Sequence, residues 1–245
     1  MKQKMKNSIT LVLVFLCFLS LNAQRNKKIK GNGNFVTITI NTQEYSGISV
    51  GGPFEVALVA GDEGTITIKG EDNILDHIET KVINGTLTIK KRKNLNLRPS
   101  RNERVLITIP VESINAIRLS GSGKLYSSKI LKSDHFNIRT SGSRFVDLRI
   151  EARSITVQSS GSSNMKLQGN AKTLNLTSSG SSKINGYDLE VDTIDFRGSG
   201  SSNVKITVHK SINARVSGSC YLKYKGNPEK IHSKTSGSAN VSNVK

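Results

Sequence analysis

Ser-Gly-Ser recurs seven times in the second half of the chain, centred on Gly121, Gly142, Gly161, Gly180, Gly200, Gly218 and Gly237, at spacings of 18 to 21 residues. A period held through seven copies marks a structural repeat, because low-complexity sequence keeps no register. The apolar residues share that register. Six before the glycine stand Phe136, Ile155, Leu174, Ile194, Ile212 and Ile231, and four before it Ile117, Ile138, Val157, Leu176, Phe196 and Ala214. Four after it come Leu125, Val146, Met165, Ile184, Val204, Leu222 and Val241. Apolar residues two apart read as a strand with one buried face, so each unit is two short strands joined at a turn.

One such unit cannot bury its inward face alone. Stacking the units pairs each backbone with the next and fills the interior with Ile, Leu and Val. The repeat therefore predicts an all-β chain built as a single-stranded parallel β-helix, a solenoid with rungs of about 18 to 21 residues and less regular N-terminal rungs. The seven glycines are read as structural corners, since glycine adopts positive φ at little cost. Serines beside them, about 4.8 Å apart from rung to rung, are short enough to serve local backbone groups or face water. Ser233 and Asn243 replace apolar residues in the last unit. That predicts an exposed helix end, which leaves a route to oligomerisation.

Residues 1–23 read as a signal peptide, with Lys2, Lys4 and Lys6 ahead of an apolar run and Ala23 at its end. The run is too short to favour a spanning helix. No transmembrane segment is expected in the mature chain, and the destination is periplasm, cell surface or medium. Cys17 follows Phe15 and Leu16 rather than the small residues that lipid anchoring requires. Cys220 is then the sole mature cysteine, which excludes an intramolecular disulfide in an oxidising compartment. Residues 24–34 read as a flexible basic lead, 35–115 as an irregular β region and 116–245 as the regular repeats. Within the irregular region, residues 48–56 look like a worn copy of the unit with Gly52 at its corner. Asn84-Gly85 between alternating runs predicts a tight hairpin turn.

Three of the net +18 charges belong to the signal peptide, so the mature chain keeps +15. Aromatic residues make up 5% and Trp is missing, which supplies few platforms for stacking bases; together with export, this removes nucleic acid from the expected partners. The densest positive stretch holds Arg92, Lys93, Arg98, Arg101 and Arg104. It is the candidate binding segment for an anionic glycan or envelope polymer, through charge-assisted hydrogen bonds.

Polysaccharide lyases and hydrolases also use β-helices, which makes a carbohydrate-active enzyme the alternative. Their chemistry needs carboxylates converging on one face, or aspartates holding calcium. Asp134, Asp147, Glu151, Asp188, Glu190, Asp192, Asp195 and Glu229 fall at different offsets in the repeat. His77, His135, His209 and His232 are isolated, Cys220 has no histidine paired with it, and seven equivalent serines single out no nucleophile. No catalytic residue, cofactor-binding residue or metal ligand is assigned, and no cofactor is expected.

Four segments in order carry a family likeness: Gly52-Pro53-Phe54-Glu55-Val56, then Gly70-Glu71-Asp72-Asn73 leading to Ile78-Glu79-Thr80, then Asn84-Gly85-Thr86-Leu87-Thr88-Ile89, then the Ser-Gly-Ser series. They resemble the head GIN domain family, exported bacterial proteins named as auto-transporter adhesins, from about residue 48 to the C-terminus. The resemblance implies an exported β-helical domain of uncertain function, with adhesion proposed by the family name and no catalytic residue to carry over. An auto-transporter needs a membrane β-barrel after its passenger domain, whereas this chain ends directly after the repeats, so self-export by that route is not expected. The combined expectation is an exported, non-catalytic structural and binding module used in adhesion or in contact with envelope polymers or glycans.

Overall fold

Alternating apolar and polar residues build strands along nearly the whole of the computed structural model, which describes residues 26–100 and 103–244. The signal peptide and Arg101 lie outside the described residues. The strands are β1 (Lys27–Lys30), β2 (Phe35–Asn41), β3 (Gly47–Gly51), β4 (Phe54–Ala60) and β5 (Thr65–Glu71), followed by a one-turn helix α1 (Asp72–Leu75). Then come β6 (Ile78–Ile83), β7 (Thr86–Lys91), β8 (Leu95–Arg98), β9 (Leu106–Val111), β10 (Ala116–Gly218), β11 (Tyr221–Lys225), β12 (Lys230–Gly237) and β13 (Asn240–Asn243). Among the described residues β1 and β8 pair alone, and the other 11 strands form one sheet with the path β2-β5-β9-β4-β10-β3-β7-β6.

This architecture corrects the expected single-stranded parallel β-helix. The large sheet is mixed: β2 with β5, β5 with β9 and β6 with β7 are antiparallel. Strand β10 pairs in parallel with β3, β4, β11 and β12. Two physical causes override the reading from the repeat. Upstream, one short connection folds the chain straight back, and β5 returns antiparallel beside β2 and β9 across longer ones. Asn84 and Gly85 have φ of 48° and 67° and form the expected tight turn between β6 and β7, a link that only antiparallel neighbours can use. Downstream, extended backbone continues from Ala116 to Gly218 and bends at six of the seven glycine turns, so the units are not set apart by loops.

The local register of the repeat survives in this mixed sheet. Gly237 lies against Gly218, and Ser236 against Ser217. Residues 48–56 take the place of a unit: Ile48 pairs with Ile117, Val50 with Leu119 and Val56 with Leu125. Apolar residues six before, four before and four after the glycines are buried from Ile117 through Leu222, while Ile231 at the far end is 44% exposed.

The seven turn glycines have φ between 75° and 96°, a region open to glycine and costly for other residues. The turn resets the alternation of the strand. At the first six turns the glycine and both its serines face outward, and the residues two before and two after it face inward, whereas at Gly237 Thr235 is exposed. Those inward positions hold Thr140, Ser159, Ser163, Ser178, Ser182 and Ser202, all at most 4% exposed. Their hydroxyls satisfy one another, as buried polar groups must. Ser182 Oγ lies 3.0 Å from Ser159 Oγ, 3.0 Å from Ser178 Oγ and 3.5 Å from Ser163 Oγ, and Ser178 continues the chain to Ser202 at 2.8 Å.

Ser182→Ala removes the node of this network and leaves its partners short of a bond. The expected loss is about 1 to 3 kcal/mol, read as a lower urea midpoint at unchanged slope. Ser181→Ala, on the outward side of the same turn, should leave the midpoint where it is.

Candidate functional site

The basic segment singled out in the sequence is half of a ribbon. Strand β8 pairs in parallel with β1, setting Lys27 against Leu95, Lys28 against Asn96, Ile29 against Leu97 and Lys30 against Arg98. Residues 27–30 of the lead, read as flexible, are thus a strand. Leu97 is buried and Ile29 packs against the core, so one apolar pair anchors the ribbon while its cations face water. Lys27, Lys28, Lys30, Arg92, Lys93 and Arg98 are all exposed. Neither residues 24–34 nor residues 90–102 contain an acidic residue. Of the five residues proposed from the sequence, Arg92, Lys93 and Arg98 belong to the ribbon, Arg104 is exposed in the chain leading to β9, and Arg101 falls outside the described residues.

An acidic clip holds the ribbon to the sheet. Glu71, 1% exposed, accepts hydrogen bonds from the Gly33 amide at 2.6 Å and the Ser100 amide at 2.9 Å. The cover over this carboxylate is the lead itself: a Cβ at Gly31 would lie 1.8 Å from Glu71 Oε2. Burial pushes the Glu71 carboxyl up, but the hydrogen bonds from Ser100 and Gly33 outweigh it and hold its pKa below the ordinary value. Asp72 accepts from the side-chain amides of Asn34 and Asn32, each at 2.6 Å, and these bonds, Asn34 first, lower its pKa as well. Asn73 Nδ2 donates to the Lys30 carbonyl at 2.7 Å. The motif that carried the family likeness is therefore a tie between the helix α1 corner and the basic lead.

A second polar surface lies where the outward residues of β10 approach its turns. A cleft of about 540 Å³ there is lined by Ser49, Arg118, Arg139, Gln158, Thr177 and the serines beside them. Arg118, Arg139, Gln158 and Thr177 stand three residues before successive glycines, so they form one column across the strands. The sequence signal for this column was present in the fixed offsets, but the flanking serines drew attention away from it.

Arg144 takes an inward place that serine holds in the next three units, and it is 2% exposed. Its Nη2 donates to the carbonyls of Gly52 at 3.0 Å, Val50 at 3.1 Å and Ser120. Burial lowers its pKa to about 10, which leaves it charged at neutral pH. Nε and Nη1 have no hydrogen-bond partner among the described residues.

Several of the carboxylates weighed for catalysis are already paired with cations or amides. Asp192 meets Lys210 at 2.8 Å, and that bond lowers its pKa. Asp195 meets Arg197 at 3.3 Å and accepts from Asn213 at 2.9 Å; Glu190 meets His209 at 3.2 Å. Among the described residues no three of His, Cys, Asp and Glu converge as metal ligands, and Cys220 is buried. No helix among these residues is long and apolar enough to cross a membrane.

A family model described as "Putative auto-transporter adhesin, head GIN domain" matches residues 44–228. Solved structures share the fold. A crystal structure titled as a putative adhesin from Bacteroides fragilis NCTC 9343 superposes with a TM-score of 0.74 at 22% identity, covering 88% of this chain and 100% of that one. One titled as a putative lipid binding protein from Parabacteroides distasonis ATCC 8503 gives 0.69 at 24% identity, over 89% of this chain and 100% of its own. A putative adhesin from Parabacteroides merdae ATCC 43184 gives 0.64 at 17% identity, over 89% and 100%. A search of curated proteins found no match.

Proposed function

Since this chain belongs to the head GIN domain family, whose model is described as "Putative auto-transporter adhesin", we propose that it works outside the cytoplasm as a non-catalytic binding module that holds anionic polymers of the cell envelope. The observation that carries this reading is the β1–β8 ribbon, which sets Lys30 beside Arg98, leaves Lys27 and Lys28 exposed along β1 and Arg92 and Lys93 exposed just before β8, and has no carboxylate in either segment. Such a surface raises the local concentration of anionic chains and binds them through charge-assisted bonds. The signal-peptide reading of residues 1–23 supports export to the periplasm or cell surface, where these polymers occur.

Anionic lipid head groups present the same charge, and one structural neighbour is titled a lipid binding protein, so a binding test needs both ligands. The mature protein is titrated with an acidic polysaccharide and, separately, with vesicles containing phosphatidylglycerol. Binding to the polysaccharide is expected to fall steeply as salt shortens the reach of exposed charges. The triple reversal Arg92→Glu, Lys93→Glu and Arg98→Glu is expected to weaken it about tenfold or more. Salt-independent binding sinks the reading, preference for vesicles moves it to lipid, and shortened polysaccharide products replace it with an enzyme.

A further inference from the structure

We propose that the cleft across β10 is a second binding site, separate from the ribbon, which takes an acidic sugar chain lying across the strands. Its lining contains arginine, glutamine, serine and threonine and no carboxylate. Successive turns of β10 stack directly on one another at their glycines, at the strand spacing of about 4.8 Å, so the column from Arg118 to Thr177 spans about 14 Å. A pyranose chain advances by a similar step per sugar, which lets consecutive sugars meet consecutive units in one register.

The charge along the column gives the ligand a direction. Arg118 and Arg139 stand at the same offset in neighbouring units, where like charges repel and cost stability. Among the described residues neither pairs with a carboxylate, whereas Arg197, at the same offset further on, is met by Asp195 at 3.3 Å. Arg144 adds a third positive charge behind the same end: it is buried, charged, and bonded to the carbonyl of Ser120, which lines the cleft. Arg118 and Arg139 thus present two guanidinium groups without a counter-charge at one end, with the buried Arg144 behind Ser120, and neutral donors and acceptors from Gln158, Ser160 and Thr177 follow at the other. An acid group of the sugar chain fits the first part and sugar hydroxyls fit the second. Outward serines bring small side chains to the floor, so the chain can approach the backbone closely.

The test uses the full mature protein and three oligosaccharide series of increasing length: oligogalacturonates, sulfated heparin fragments and neutral malto-oligosaccharides. Affinity for an acidic series is expected to climb with each sugar until the chain covers four units, then level off. Neutral chains of equal length should bind about tenfold more weakly. Arg118→Gln with Arg139→Gln, both exposed and therefore tolerable to the fold, should erase that difference, while Thr177→Val weakens acidic and neutral chains alike. A preference for galacturonate or for heparin fragments identifies the acid group as carboxylate or sulfate. The ribbon triple reversal should leave the length dependence in place. The site is overturned if affinity ignores length, or if the two glutamine substitutions leave acidic chains bound as before while the ribbon reversal abolishes binding. In that last case the ribbon reading stands by itself.

Discussion

Gly161→Ala is expected to destabilise the protein by more than about 3 kcal/mol. Two costs add at this position. The backbone has φ of 90°, where a side chain strains the chain by about 1 to 3 kcal/mol. The new Cβ would also lie 2.7 Å from the oxygen, 2.9 Å from the nitrogen and 3.1 Å from the Cα of Gly142. Those atoms are backbone, held in turn by the Gly121 turn beneath, so relief requires the stack to open. Gly33→Ala separates the two costs, because Gly33 has φ of 82° with nothing within 4 Å of its added Cβ. It should lose only the conformational part, about 1 to 2 kcal/mol. Urea unfolding of both variants checks the difference, and equal losses would mean that contact between turns contributes nothing. Since domains of ordinary stability hold about 5 to 15 kcal/mol, two such alanines in adjacent turns should leave little folded protein.

Glu71→Ala is expected to release both halves of the basic ribbon together. It leaves the amides of Gly33 and Ser100 without their acceptor. Hydrogen bonds to a charged group are worth about 1.5 to 3 kcal/mol, so a local loss of about 3 kcal/mol corresponds to about a hundredfold faster amide exchange, at tenfold per 1.4 kcal/mol. The faster exchange should be confined to residues 27–33 and 95–100, with β10 unchanged, and polymer binding should weaken because the cations no longer share one surface. Unchanged exchange in β1 would show that strand pairing alone holds the lead.

The same clip is sensitive to acid. The folded pKa values of Glu71 and Asp72 are lowered, so their stabilisation is complete above the unfolded values, near pH 4. It is lost as the pH falls through the folded values. Exchange protection in β1 should therefore hold at neutral pH and disappear in stronger acid, ahead of protection in β10.

The repeat made the local structure legible because its signals are short in range. Two-residue alternation, a glycine at each turn and apolar residues at set offsets each act within a few residues, and the burial of Ile138, Val157 and Leu176 follows from them. The Asn84-Gly85 hairpin was legible for the same reason. The ribbon was only half legible. Arg92, Lys93 and Arg98 stand out as a charge run, but the pairing of β8 with β1, which sets Arg98 beside Lys30, joins segments far apart in sequence. The clip also reaches far along the chain: Gly33 lies 38 residues and Ser100 29 residues from Glu71, and nothing in the motif itself points to either.

Ser-Gly-Ser by itself determined that the chain turns at seven places and keeps one register between them, because only glycine fits the positive φ and the close stacking of backbones there. Beyond the β6–β7 hairpin, the tertiary structure decided that β5 runs antiparallel to β2 and β9, since strand direction there depends on which distant neighbour completes each edge. It also decided which residues the turn sends inward. Three outward residues at every glycine shift the alternation, so the buried hydroxyls are those of Thr140, Ser159, Ser163, Ser178, Ser182 and Ser202, not the serines beside the glycine, and the exposed column is Arg118, Arg139, Gln158 and Thr177.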